Sequence, residues 1–207
     1  MATNIDFQRI ERKVWTSYFQ DGLWDIFMGL LMLGLGVTSL TDERPAVYVI
    51  GYAIIALAVL VFSIGKRLIT YPRIGRVKFG LYRKKKQRKV MIIVGLCVML
   101  GLLGFVMGSF GLTPDKGLPN EIIALIVGIV FLAVFGSMAY FMDFNRMYAY
   151  GLLIAISIAL VFALNNSAGS IAMCVSGSMT VLIGVLIAVR FTRKYPKVVK
   201  GDLDSDA

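Results

Sequence analysis

Residues 46–64 read AVYVIGYAIIALAVLVFSI, nineteen positions without a single charge. Residues 65–90, directly after them, read GKRLITYPRIGRVKFGLYRKKKQRKV and hold eleven Lys and Arg with no acid. A bilayer's hydrocarbon core, roughly 30 Å thick, takes about 20 helical residues to cross. A helix also satisfies its own backbone hydrogen bonds, which lipid cannot do. The first stretch therefore predicts a transmembrane helix, and the second predicts the point where the chain leaves the membrane.

Working outward, five more runs are nearly free of charge and similar in length: 23–40, 91–112, 121–142, 148–164 and 171–189. Over the whole chain 58% of residues are hydrophobic and 16% charged, against about 45–50% and 25% in soluble domains. That excludes a soluble enzyme, a disordered chain and a disulfide-rich secreted module. The expected fold class is all-α: a polytopic membrane protein with six transmembrane helices as three antiparallel hairpins. The parts are an amphipathic segment 1–22, hairpins 23–64, 91–142 and 148–189, a basic loop 65–90, and a tail 190–207 that turns acidic at Asp202, Asp204 and Asp206. In the first segment Phe7, Ile10, Val14 and Tyr18 share one helical face. With Trp15 and Phe19 nearby, this segment suits an interfacial helix lying in the headgroup layer. It lacks the continuous apolar region of a cleavable signal peptide.

Charge placement orients the bundle. If six runs cross, 20 of the 22 Lys and Arg fall on one side, and only Arg44 and Lys116 on the other. The positive-inside rule then puts both termini and the basic loop in the cytoplasm of a cell (inner or plasma) membrane. Asn165-Asn166-Ser167 matches a glycosylation acceptor, but the turn holding it is too short and too close to the bilayer for that reading. Arg67-Leu68-Ile69-Thr70-Tyr71-Pro72 resembles Arg190 to Pro196, and Gly29-Leu30-Leu31 resembles Gly151-Leu152-Leu153 at a similar offset. Such a repeat would be parallel rather than inverted.

Several groups are candidates for chemistry. Asp21 and Asp25 lie four apart at the start of the first run, and Asp143 ends the fourth on the same expected side. Together they could form a cation or proton site at the inner mouth of a path. The competing expectation is that these acids pair with the basic loop and hold it against the bundle. Ala172, Ser176, Thr180, Gly184 and Ala188 recur every four residues in the sixth run, and Gly151, Ala155, Ala159 and Ala163 in the fifth. Stripes of small residues let helix backbones approach closely. In a transport reading, Ser176, Ser178 and Thr180 would line a narrow polar path. In the basic loop, Arg73, Arg76, Lys78, Arg83, Lys84, Lys85, Lys86, Arg88 and Lys89 suit anionic lipid headgroups or an acidic partner. Pro72 and Gly75 are expected to break any helix there, Arg76 to Phe79 to alternate like a short strand, and helix to resume from about Tyr82.

With no histidine in the chain, a Ser-His dyad and a His-ligated zinc site are excluded. No lysine lies within a run to serve a Ser-Lys mechanism, and no Walker A or G-x-G-x-x-G pattern occurs. Cys97 and Cys174 sit inside apolar runs and read as small buried hydrophobes. No enzyme activity, metal or cofactor is expected. No nucleic-acid partner is expected, because no recognisable fold displays Tyr71, Phe79 and Tyr82 as stacking platforms. The leading expectation is a small-solute or ion channel or transporter that acts as a homo-oligomer. The alternative is a non-transporting scaffold or regulator whose basic loop binds anionic phospholipid headgroups or an acidic partner.

Overall fold

The computed structural model describes residues 19–40, 45–74, 88–89, 91–93, 95–96, 99, 120–163 and 166–196. The interfacial helix expected before residue 19, most of the third run with its Gly104-x-x-x-Gly108 pattern, the strand-like Arg76 to Phe79 and the acidic tail lie outside these residues. Every regular element among the described residues is helical: α1 (Leu23–Thr38), α2 (Pro45–Gly65), a π-turn (Lys66–Thr70), α3 (Tyr71–Ile74), α4 (Asn120–Met142), α5 (Arg146–Ala163) and α6 (Asn166–Lys194). Among the described residues three stretches are long and apolar enough to cross a bilayer, Pro45–Arg73, Leu125–Met142 and Ser167–Lys194. Leu23–Thr38 and Arg146–Val161 are shorter apolar helices. Their outward faces carry Val49, Tyr52, Leu60, Leu125, Leu152, Leu182 and Leu186, all exposed. Water would penalise such a surface, whereas lipid accepts it. The chain has the make-up of a membrane protein.

The helices form two compact units. In the first, α1 packs against α2 on one side and against residues 174–194 of α6 on another. Glycines set both contacts. A Cβ on Gly34 would lie 2.9 Å from the Gly51 carbonyl oxygen, and one on Gly65 would lie 2.7 Å from the Leu23 side chain. A Cβ on Gly29 would lie 2.7 Å from the Gly177 carbonyl oxygen and from Val181 N, and one on Gly184 would lie 2.7 Å from Ile26 N. Residue numbers rise along α1 as they fall along each neighbour, so both pairs are antiparallel. At about 100° per residue, the α2-facing positions (Leu23, Gly34, Thr38) and the α6-facing ones (Ile26, Gly29, Leu33) lie about a third of a turn apart. The small stripe read in the sixth run is thus a packing face, with Gly177 the contact beside Ser176.

In the second unit α4 and α5 are also antiparallel. Gly151 meets Phe135, with a Cβ there 2.7 Å from the Phe135 Cβ, and Gly128 meets Ala155. The turn between them ends α4 in a Schellman motif. Phe144 N–H donates to the Ala139 carbonyl at 3.1 Å, and Asp143 takes the left-handed conformation at φ 54°. Both Ala139 and Phe144 are buried, the apolar contact that accompanies this cap. The first turns of α6 pack on α5, where Gly169 approaches the Ser157 carbonyl and Val161 N, each 2.7 Å from a Cβ built on the glycine.

One local expectation fails. The helix does not break at Pro72 but runs on to Ile74 through the π-turn. A proline in an α-helix clashes with the carbonyl four residues back and offers no N–H. Here the preceding turn is widened, with Tyr71 N–H donating to the Lys66 carbonyl, so the ring of Pro72 is accommodated.

Candidate functional site

The site begins with the residue pair that leads into α1. Gly22 has φ +73°, and a Cβ on it would run into the Gly184 carbonyl and lie 2.8 Å from Ala188 N. Only glycine fits there, since L side chains avoid that conformation. This bend brings Asp21 back over the start of the helix, where its Oδ1 accepts the Leu23 N–H at 3.1 Å. Two further donors arrive from the helix after α2. Lys66 Nζ donates to Asp21 Oδ2 at 2.5 Å, and Thr70 Oγ1 donates to the same oxygen at 2.6 Å. Lys66 and Thr70 are the first and last residues of the π-turn.

All three side chains are buried, with Asp21 and Thr70 at 0% exposure and Lys66 at 5%. Lone charges there would cost several kcal/mol each after relaxation, so each needs its partner. Aromatic rings complete the surroundings. The Lys66 ammonium stands 5.6 Å from the Phe62 ring centroid, and Phe62 packs on Trp24 at 4.9 Å and Phe27 at 5.1 Å. Asp25, one turn into α1, is also buried and lies beside Gly184. Deeper along α1 the buried positions are Met28, Gly29, Met32, Gly34 and Gly36. The polar cluster sits at one end of an apolar helix.

The predicted residues therefore divide. Asp21 and Asp25 share the first unit. Asp143 belongs to the second, where it forms the turn after α4. Two of the three hydroxyls expected along a path turn to their own helix: Ser178 Oγ donates to the Cys174 carbonyl at 2.8 Å, and Thr180 Oγ1 to the Ser176 carbonyl at 2.7 Å, while Ser176 is half-buried. Ser178 is exposed and Thr180 buried. Of the basic residues, Arg76, Lys78, Arg83, Lys84, Lys85 and Lys86 lie outside the described residues. Arg73 is half-buried, and Arg88 and Lys89 are exposed, with the Lys89 ammonium 5.9 Å from the Phe141 ring centroid. Among the described residues no group of three or more Cys, Asp or Glu is placed to hold a metal ion.

Sequence reasoning singled out Asp21 and foresaw that the acids could pair with the basic loop, but it named neither Lys66 nor Thr70 as a partner. Their i, i+4 spacing puts them on one helical face, which is a weak signal by itself. One prediction follows from the hydroxyl geometry. Thr180→Val removes a hydroxyl that, among the described residues, bonds to its own helix, a back-bond that contributes little. Thermal unfolding in detergent should show a change within about 1 kcal/mol, while Thr180→Leu, which enlarges a buried side chain, should cost more.

Comparison with protein-family models, with curated proteins and with solved structures gives no match to this chain.

Proposed function

We propose that the protein is a non-transporting membrane scaffold or regulator, built from six spans with both termini in the cytoplasm, whose basic connection engages anionic phospholipid headgroups. One observation carries the reading. The connection's first cation, Lys66, is locked to Asp21 at the start of α1, so the eleven-cation segment leaves the bundle from a fixed, buried anchor. The remaining cations of that segment have no acid within it to neutralise them. An anionic surface supplies the missing compensation at on the order of 1 kcal/mol per Lys or Arg.

Transport has less support. The hydroxyls of Ser178 and Thr180 give their donor hydrogens to carbonyls of their own helix, leaving them as acceptors alone toward any path. The Asp21 carboxylate is likewise occupied by three donors.

The test is lipid enrichment around the purified protein in mixed micelles of anionic and zwitterionic phospholipid. Replacing Lys84, Lys85, Lys86, Arg88 and Lys89 by Gln should lower the preference for anionic lipid about 100-fold or more, given roughly 1 kcal/mol for each charge. Raising ionic strength should weaken it in the intact protein. An unchanged preference would remove lipid as the ligand. In proteoliposomes, ion or solute flux that Thr180→Leu abolishes would return the protein to the channel class.

A further inference from the structure

Three features meet at the end of α2. The π-turn adds one residue to a helical turn, a form seen mostly as single-turn bulges at functional sites. Its two end residues, Lys66 and Thr70, are held by one oxygen of Asp21. Just beyond it, Arg73 is poorly served by the present register. Its Nη1 makes a long 3.3 Å bond to the Ile69 carbonyl, while its Nε is buried without an acceptor among the described residues.

We propose that Asp21 is a register latch. Its carboxylate holds the turn at Lys66–Thr70 in the π form, and its release lets that turn rewind into the α form. A π-turn advances less per residue than an α-turn. Rewinding five residues turns everything after Thr70 by about one residue's rotation, roughly 100°. Each later residue then takes the direction that its successor has now. Asp21 sits between the N-terminal segment and α1, and the π-turn sits between α2 and the basic connection. A displacement at the first is therefore converted into rotation at the base of the second. The latch needs no lipid and stands whether or not the connection binds headgroups.

Pro72 also favours a widened turn, so the experiment must separate proline from aspartate. It uses the full-length protein in detergent, with Cys97→Ser and Cys174→Ser, and reads the rate of maleimide labelling at two reporters. Tyr71 is half-buried and Pro72 exposed. One reporter is Tyr71→Cys combined with Pro72→Ala, and the other is Pro72→Cys, so neither protein retains the proline.

With Asp21 intact, the Pro72→Cys reporter should label fast and the Tyr71→Cys reporter slowly. Adding Asp21→Asn should speed labelling at 71 about fivefold and slow it at 72. Opposite changes at adjacent positions mark rotation, because unfolding raises both. Thr70→Val, which keeps the ion pair, should produce the same opposite changes and serves if Asp21→Asn does not fold. Fast labelling at 71 while Asp21 is intact would show that proline sets the register, and the latch would be overturned. Unchanged rates in both variants, or a rise at both positions, would overturn it equally.

Discussion

Asp21→Ala should be the most damaging single substitution in the described part of the chain, lowering stability by about 3–5 kcal/mol. The reason is what it leaves behind rather than what it removes. The buried Lys66 would lose its Asp21 counter-charge, the Thr70 hydroxyl would lose its acceptor, and the Leu23 N–H would lose its cap. Lys66→Ala should be nearly as costly, since it strands a fully buried carboxylate. The double substitution should cost less than the two single losses together, by roughly 0.5–3 kcal/mol of coupling. Asp21→Asn keeps a single acceptor oxygen, enough for the Leu23 N–H but not also for Lys66 and Thr70 on the other side of the carboxylate, and should fall between wild type and Asp21→Ala. Thermal unfolding of the detergent-solubilised protein, run as a double-mutant cycle, measures all four. Strict additivity would mean that the ion pair carries no interaction energy.

The second large effect belongs to the glycines between α1 and α6. Gly22→Ala should destabilise by about 2–5 kcal/mol, combining roughly 1–2 kcal/mol for a side chain in the left-handed region with about 1–3 kcal/mol for overpacking. The obstacle is the backbone of Gly184 and Ala188, which has no rotamer with which to move aside. Gly29→Val should behave similarly, because its neighbours are the backbone of Gly177 and Val181. The contrast is within the second unit. A Cβ on Gly136 would sit 3.7 Å from Tyr148 Cε1, and one on Gly128 would sit 4.0 Å from the Ala155 Cβ. Alanine at either position makes ordinary contact and should be neutral, or stabilise by about 0.4–1 kcal/mol through the unfolded chain. Melting temperatures of the four variants test the ordering. Equal losses at Gly22 and Gly136 would refute the close-packed face.

Much of the helical architecture was legible in the composition of single runs. The stretch 46–64 announced α2 because nineteen uncharged residues leave a helix in lipid as the simplest way to satisfy the backbone. The end of that helix was misjudged at Pro72. A local rule, that proline breaks helices, was overridden by a wider turn that the same rule does not consider. Asp143 was weighed as a charge, and its backbone conformation was not foreseen: it takes the left-handed position that more often goes to glycine. The small residues of the sixth run were correctly read as a packing stripe, but the direct contacts fall on Gly177 and Gly184, and the stripe alone did not say which helix lies against it.

The residue order by itself determined the apolar, membrane-type make-up of this protein, the helical class of its described elements and the crowding of eleven cations into residues 65–90. Those properties are sums over local stretches, and sums survive ignorance of partners. Only the tertiary structure decided that Asp21 meets Lys66 and Thr70, which lie 45 and 49 positions away. Turning a helix by a single residue swings a side chain through about 100°. The pairing of buried charges therefore depends on how whole helices are rotated against each other, and the close approach of their glycines sets that rotation.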